Sequence, residues 1–340
     1  MEISFTLLVF TVIIALGFDL VNGFHDAANS IATIVSTRVL SPIQAVMWAA
    51  FFNFIALLIF PAKVADSISK IVIINPADAE YAYVILIGLL SAIIWDLITW
   101  RLGLPTSSSH ALIGGLSGAG VAYAGFGALR WNILSDAFLF IFLAPLMGFV
   151  LGFLMTIGAY YSAYTKTPRK IQKFFGKGQL ISAALYSIGH GANDAQKTMG
   201  ILIALFVAAD IFEPSIQLTL TNPDTLWIIV SCHLALAIGT AFGGWRIVRT
   251  MGMRLVKLKP IGGFCAETGG AITLYLATHL GIPVSTTHTI TGAIIGVGTV
   301  SSRPSKIRWG IAANIVWAWI LTIPATAGLS ILFTYFRNLI

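Results

Sequence analysis

Charged residues are scarce in this chain. Of its 340 residues, 10% are charged and 57% are hydrophobic, whereas soluble domains carry about 25% charged residues. A chain with so few charges cannot cover a water-facing surface, which excludes a soluble globular protein. Its apolar runs are about 20 residues or longer, enough to cross about 30 Å of hydrocarbon, and they lack the alternation of membrane β-strands. The composition therefore predicts an all-α, polytopic membrane protein that lies in a lipid bilayer.

Other absences narrow the function. The two cysteines, Cys232 and Cys265, lie in apolar stretches and give neither a disulfide framework nor metal-ligand spacing. The sequence has no nucleotide motif and no Gly-x-Ser-x-Gly elbow, so we do not expect an enzyme. Its first stretch lacks a basic start and does not resemble a cleavable signal peptide. The net charge of +7 comes from loops between apolar runs, which favours cytoplasmic loops and no nucleic-acid partner.

The apolar runs divide into two sets of about five membrane segments. We place them at 3–39, 43–62, 82–100, 105–126 and 133–161, and then at 179–209, 225–245, 261–280, 283–300 and 308–337. The fourth segment of each set is short and rich in glycine, which fits either a span or a re-entrant hairpin. The first segment of each set is too long for one helix, and we expect it to be interrupted at Gly23 and at Gly191.

The loop charges predict the orientation. Basic residues follow every odd-numbered segment, among them Arg38, Arg101 and Arg308. By the positive-inside rule these loops are cytoplasmic, including 166–178 and 246–260, and both termini face outside. Because each set has an odd number of segments, the second is inverted relative to the first. The expected organisation is a first repeat at 1–165, a basic cytoplasmic linker at 166–178 and a second repeat at 179–340.

Each repeat carries an Asp motif, at 22–30 and at 190–198. Helical spacing puts Asn22, Asp26 and Asn29 on one face. A carboxylate inside a membrane segment normally faces a cavity, a partner or an ion. Oxygen ligands of this type suit Na⁺, although Asp and His could instead carry a proton, or the two Asp residues could cap broken helices. The candidate cation ligands of the two motifs are Asn22, Asp26, Asn29, His190, Asn193 and Asp194.

Each repeat also carries a hydroxyl motif, at 102–110 and at 280–288. Pro followed by Ser and Thr is typical of a helix start, whose free N–H groups can bind an anion. Two such starts could hold a tetrahedral oxyanion, although Ser and Thr also cap or join membrane helices. The candidate anion ligands are Thr106, Ser107, Ser108, Ser109, Ser285, Thr286 and Thr287, with Gln196 from the second Asp motif. Ser107 and Ser285 are also candidate Na⁺ ligands.

Four further polar residues lie in the segments. Glu267 is deep enough in its segment to be a functional candidate, and His25 adjoins Asp26. Lys197 could neutralise Asp194 or attract an anion, and the sequence does not choose between these roles. Asp96 lies close to Arg101 in sequence, which predicts an ion pair at the membrane interface.

These motifs resemble the inorganic phosphate transporter (PiT) family over essentially the whole chain. The duplicated family signature is Gly-Ala-Asn-Asp-x-x-Asn, and residues 191–194 match its first four positions. This chain departs from the signature at Lys197, which replaces the last Asn, and at His25, which replaces the middle Asn of the first copy. A family Glu position in the second segment corresponds to Asn53, which puts the role of that Glu in doubt here.

The resemblance implies a symporter that takes up inorganic phosphate with either Na⁺ or H⁺ and no other cofactor. Of the two cations, the oxygen ligands of the motifs favour Na⁺, and we expect transport by alternating access. The resemblance assigns important roles to Asp26, Asp194 and Glu267, and it implies a homodimer in the cell (inner) membrane. The main alternative is a permease for sulfate or another oxyanion. An anion channel is a less favoured alternative.

Overall fold

Helices form most of the described residues in the computed structural model, which describes residues 3–59, 62–73, 80–301 and 304–339. These residues contain no β-strand, so the all-α prediction is confirmed. Short helical turns at Ala56–Leu58, Phe126–Ala128 and Pro304–Lys306 and a π-helical segment at Arg249–Leu255 connect the α-helices. The twelve α-helices are α1 (Phe5–Ser36), α2 (Pro42–Ile55), α3 (Lys63–Ser69), α4 (Glu80–Leu102), α5 (Ser108–Ala124), α6 (Trp131–Ala163), α7 (Pro168–Ala208), α8 (Pro223–Phe242), α9 (Trp245–Val248), α10 (Pro260–Leu280), α11 (Thr286–Ser301) and α12 (Trp309–Arg337).

The predicted interruptions at Gly23 and Gly191 are wrong, because α1 and α7 are each continuous through the Asp motif. Both glycines instead permit close helix packing. A Cβ on Gly23 would lie 2.1 Å from the carbonyl oxygen of Leu236 in α8, and one on Gly191 would lie 2.4 Å from the carbonyl oxygen of Asn53 in α2. Each Asp motif therefore lies where its helix crosses a helix of the other half.

Helix α7 is longer than a membrane span although it is not interrupted. Its 41 residues rise about 61 Å, roughly twice the hydrocarbon thickness. Residues 168–178, which the sequence assigns to a linker, form its mostly exposed and basic first turns. The excess length therefore projects from the membrane, and the linker is helical.

The chain does break at the hydroxyl motifs. Residues 103–107 separate α4 from α5, and residues 281–285 separate α10 from α11. Each pair is an antiparallel hairpin, since Gly88 packs on Leu116 in the first and Gly270 packs near Ile290 in the second. The 17 residues of α5 and the 16 of α11 rise about 26 and 24 Å, less than a full crossing.

Five described helices are long and apolar enough to cross a membrane, namely α1, α4, α6, α8 and α12. The predicted second segment, 43–62, contains α2 and the helical turn at Ala56–Leu58, and α3 follows it at an angle of 86°. Residues 60 and 61 of that segment lie outside the described part of the chain. The outer helices α6 and α12 expose large apolar side chains, including Phe142, Leu146 and Trp317. A lipid environment accounts for these exposed faces.

The two halves interlock through matched helix pairs. Helix α1 packs on α8 as α7 packs on α2, and α5 packs on α12 as α11 packs on α6. Small residues permit these contacts: a Cβ on Gly118 would lie 2.4 Å from the Ala327 carbonyl oxygen, and one on Gly292 would lie 2.1 Å from that of Pro145. Each half thus completes the core of the other. The repeat boundaries and the inversion stay predictions, which this matched pairing supports.

The loops that the charges assign to the cytoplasm lie together at one end of the molecule. The Arg246 guanidinium donates to the Arg101 carbonyl oxygen at 2.6 Å, the Arg308 N–H to the Leu255 carbonyl oxygen at 3.3 Å, and the Thr37 hydroxyl to Gln179 at 2.8 Å. At the other end, Arg337 pairs with Glu80. This grouping agrees with the loop charges, while the end that faces the cytoplasm stays a prediction.

The glycine contacts give a first prediction. Gly23→Ala should destabilise the folded protein by about 1–3 kcal/mol, because the backbone of α8 cannot move away without disturbing the core. The control is Gly17→Ala in the same helix, where the added Cβ meets nothing within 4 Å. Thermal unfolding of the purified protein in detergent measures both, and a Gly23→Ala variant as stable as Gly17→Ala would contradict the close crossing.

The orientation gives a second prediction. Both native cysteines are buried, so a cysteine introduced at an exposed position should dominate labelling by a membrane-impermeant maleimide. Ser215→Cys should react on intact cells, and Lys173→Cys only after permeabilisation, because 166–178 is predicted to be cytoplasmic. The reverse accessibility would overturn the assigned orientation.

Candidate functional site

The two Asp motifs meet in the centre of the protein. One ligand atom each from Asp26, His190 and Asp194 lies within 4.8 Å of the others. Asp26 is 3% exposed, and His190 and Asp194 are 0% exposed. Carboxylates are buried in an apolar interior only when they are paired or bind a cation. The structure thus brings together Asp26 and Asp194, the two residues that the sequence singled out, from distant parts of the chain.

Asp26 is surrounded by hydroxyl and imidazole groups. His25 Nδ1 lies 2.7 Å from its Oδ1, and the Ser108 hydroxyl donates to the same oxygen at 3.4 Å. The Thr286 hydroxyl donates to Oδ2 at 3.5 Å. Both helix starts therefore reach the first Asp motif, and oxygen atoms dominate its surroundings.

The other predicted cation ligands of the first motif differ in their contacts. Asn29 Nδ2 donates to the hydroxyls of Thr286 at 3.1 Å and Thr287 at 2.9 Å, which ties α1 to the start of α11. Asn22 is buried, and its side-chain oxygen has no hydrogen-bond partner within the described residues. A buried amide oxygen without a donor is available to a cation.

Asp194 is held differently from Asp26. The Lys197 ammonium donates to its Oδ1, and His190 Nε2 lies 3.2 Å from its Oδ2 without the alignment of a hydrogen bond. The Asn193 Nδ2 donates to the Thr278 hydroxyl at 3.2 Å, and its side-chain oxygen, like that of Asn22, is buried without a hydrogen-bond partner in the described part of the chain. Of the two roles that the sequence left open for Lys197, the structure shows it pairing with Asp194.

The two helix starts face the same region. The Ser107 hydroxyl accepts from the His110 N–H at 3.3 Å, and the Ser285 hydroxyl accepts from the His288 N–H at 3.2 Å. Ser109 donates to the Val284 carbonyl oxygen at 3.3 Å, which joins the two motifs directly. The positive ends of both helix dipoles therefore point into one buried volume beside Asp26.

Not all predicted anion ligands point into this volume. The Thr106 hydroxyl donates to Thr99 at 2.8 Å, toward α4. The Gln196 side-chain oxygen accepts from the Val64 N–H at 3.0 Å, where it supports the start of α3. The hydroxyls of Ser108, Thr286 and Thr287 contact Asp26 or Asn29 and line the volume.

Glu267 forms a separate cluster. Its carboxylate accepts from the Thr33 hydroxyl at 2.6 Å, from Gln179 Nε2 at 2.9 Å and from the Ser182 hydroxyl at 2.5 Å. These partners lie one to four helical turns from the Asp motifs, toward the end that carries the basic loops. Glu267 is thus buried and fully engaged, away from the Asp26 and Asp194 pair.

Three residues near the site were not recognised as such in the sequence. Asp96 is not an interfacial ion-pair residue, because it is 0% exposed and its polar neighbours include His25 and Asp26. Asp19, also in α1, is buried and accepts from the Thr198 hydroxyl at 2.6 Å. Asn53 of α2 lies 3.2 Å from His190 Nδ1. The first two are lone acids in apolar runs, a signal that could have identified them.

A cavity of about 1310 Å³ opens at the end of the molecule opposite the basic loops. It is lined by α3, the C-terminal third of α7 and the loop at 214–221, and its charged lining residues are Lys63, Asp66, Lys70 and Arg130. Gln196 and Gly200 also line it, so it reaches the turn of α7 that follows Asp194. The cavity and the buried site are neighbours along one helix.

The fold and the site together define a membrane transport protein: lipid-facing helices enclose buried carboxylates, hydroxyls and two helix starts, and a cavity lies beside them. The chain belongs to the phosphate transporter family (PHO4), whose sequence profile matches residues 22–330. This confirms the family that the motifs resemble and a transport function instead of catalysis.

Individual proteins agree with this assignment. The chain is 50% identical to a probable low-affinity inorganic phosphate transporter of Rhizobium meliloti, over 99% of this chain and 98% of the relative. It is 40% identical to a protein of the same description from Bacillus subtilis, over 100% of both chains. A solved structure described as the sodium-dependent phosphate transporter superposes with a TM-score of 0.81 at 25% identity, covering 98% of this chain and 100% of that one.

The capping contacts give a third prediction. Ser107→Ala should destabilise the protein by about 1 kcal/mol, because the start of α5 loses its cap. Ser117→Ala in the same helix is the matched control, since the Ser117 hydroxyl has no hydrogen-bond partner within the described residues. Denaturation of both variants in detergent measures the difference, and equal stabilities would show that Ser107 does not act as a cap.

Proposed function

We propose that the protein is a symporter that couples uptake of inorganic phosphate to a cation, with Na⁺ as the preferred ion. The observation that carries this proposal is the meeting of Asp26, His190 and Asp194 within 4.8 Å, beside the starts of α5 and α11. A cation site and an anion site share this volume, so the occupancy of one changes the affinity of the other.

The phosphate position follows from the donors. The starts of α5 and α11 offer free N–H groups and the positive ends of two dipoles, and Ser108, Thr286 and Thr287 add hydroxyls without a fixed charge. The nearby Asp26 carboxylate would repel phosphate, since two like charges 4 Å apart cost about 4 kcal/mol at an effective dielectric constant of about 20. A cation bound at Asp26 removes this repulsion, and therefore binds first.

The identity of the cation follows from the ligand chemistry. The Asp26 carboxylate, the hydroxyls of Ser108 and Thr286 and the amide oxygen of Asn22 are hard oxygen ligands, which suit Na⁺. The sodium dependence named for the structural neighbour supports the same choice. The 2.7 Å contact between His25 and Asp26 provides a proton-binding pair, which makes H⁺ coupling the second candidate.

Alternating access accounts for the burial of the site. The two Asp residues are 0–3% exposed, so a substrate reaches them only after the protein opens. We propose that the cavity beside α3 is the outer vestibule, where Lys63 and Arg130 attract phosphate, while Lys70 is paired with Asp66 in the same lining. Movement of one interlocked half against the other would then open the site first to this vestibule and then to the cytoplasm.

The experiment is phosphate uptake into proteoliposomes under imposed Na⁺ or H⁺ gradients, which forms the fourth prediction. The wild-type chain should concentrate phosphate when the Na⁺ gradient is inward and should not do so when it is collapsed. Asp26→Asn should abolish this accumulation, because the carboxylate that holds the cation is lost. Asp136→Asn, at an exposed position at the start of α6, is the matched control and should transport normally.

Three outcomes would contradict parts of the proposal. Accumulation driven by a pH gradient alone would replace Na⁺ by H⁺. Phosphate equilibration that ignores every cation gradient would exclude symport. Unlabelled sulfate that competes with labelled phosphate at equal concentration would show a general oxyanion permease.

A further inference from the structure

The two Asp motifs differ at one pair of equivalent positions. Asn29 follows Asp26 by three residues, and Lys197 follows Asp194 by three residues. Their contacts are also equivalent: Asn29 donates to the Thr287 hydroxyl at 2.9 Å, and Lys197 donates to the Ser109 hydroxyl at 2.5 Å. Ser109 and Thr287 each immediately precede the His of their hydroxyl motif. The same position thus holds a neutral amide in one half and an ammonium in the other.

The Lys197 ammonium has no donor left for an anion. A lysine has three N–H donors, and the nitrogen has three acceptors here, namely the Asp194 carboxylate, the Ser109 hydroxyl at 2.5 Å and the Val284 carbonyl oxygen at 3.4 Å. Its side chain is 1% exposed. A carboxylate, a hydroxyl and a backbone carbonyl are also the oxygen ligands that a bound Na⁺ would take.

We propose that Lys197 is a built-in cation at the second Asp motif, so that the transported cation binds only at the first. The inference rests on the proposed symport and revises the expectation of Na⁺ at both motifs. The ammonium carries the same charge as Na⁺, neutralises Asp194 in the same place and cannot leave with phosphate. Asp26, whose equivalent neighbour is the neutral Asn29, still needs a mobile cation.

The proposal predicts that substitution of Lys197 changes the number of cations carried with each phosphate. If the Lys197–Asp194 ion pair were purely structural, this number would stay the same. Lys197→Asn makes the second motif like the first and opens the Asp194 site to Na⁺. The variant should therefore carry one more cation per phosphate than the wild type. At zero membrane potential, an additional coupled cation raises the limiting phosphate accumulation about tenfold when the cation gradient is tenfold.

The fifth prediction is tested by measuring this limit in proteoliposomes with the membrane potential clamped at zero. Lys197→Asn should show the roughly tenfold higher limit, whereas Lys197→Arg, which keeps the charge, should behave as the wild type. Lys173→Asn, at an exposed position in the first turns of α7, is the matched control and should leave the limit unchanged. Equal limits for Lys197→Asn and the wild type would overturn the inference.

The reciprocal variant keeps the test decisive if Lys197→Asn does not fold. Asn29→Lys places an ammonium at the first motif and should remove one coupled cation, so that phosphate accumulation falls toward equilibration. Unchanged coupling in Asn29→Lys would overturn the inference. If the wild type itself shows no cation-driven uptake, the proposed symport fails and the inference fails with it; coupled wild-type uptake with an unchanged ratio in the variants overturns only the role of Lys197.

Discussion

The burial of two carboxylates at the crossing of α1 and α7 is the constraint on which the remaining architecture depends. Asp26 and Asp194 are nearly or fully excluded from solvent, and a charge in such a place needs a partner or an ion. The helix starts of α5 and α11, the imidazoles of His25 and His190 and the ammonium of Lys197 supply these partners. His25, His190 and Lys197 are neighbours of the two Asp residues on α1 and α7, whereas the starts of α5 and α11 come from distant parts of the chain. The complete site therefore exists only when the whole fold is assembled.

Close helix packing makes this assembly possible. Gly23 and Gly191 let α1 and α7 pass against the backbones of α8 and α2 at the level of the Asp motifs. The interlocked pairs of α5 with α12 and α11 with α6 hold the two hairpins so that both starts reach the same volume. Packing in a membrane gains little from the hydrophobic effect between helices, and small residues that allow close contact are therefore the main source of specificity.

Much of this arrangement could be predicted from the sequence, because the repeat is visible in it. The duplicated motifs identified Asp26, Asp194 and the helix starts, and the loop charges grouped the ends that lie together in the structure. The continuity of α1 and α7 could not be read from glycine alone, since a glycine marks a helix break and a close crossing equally well. Asp96 and Gln196 were misjudged because their neighbours, His25 and Val64, are far away in sequence and only the tertiary fold brings them together.

Cation and phosphate are proposed to occupy one shared site, and the effect of each ligand on the binding affinity of the other tests this most directly. Equilibrium binding of labelled phosphate to the purified protein should tighten as Na⁺ is added, and by reciprocity phosphate should tighten Na⁺ binding by the same factor. The account predicts that this coupling disappears in Asp26→Asn. A phosphate affinity that is the same with and without Na⁺, and unaltered by Asp26→Asn, would contradict it.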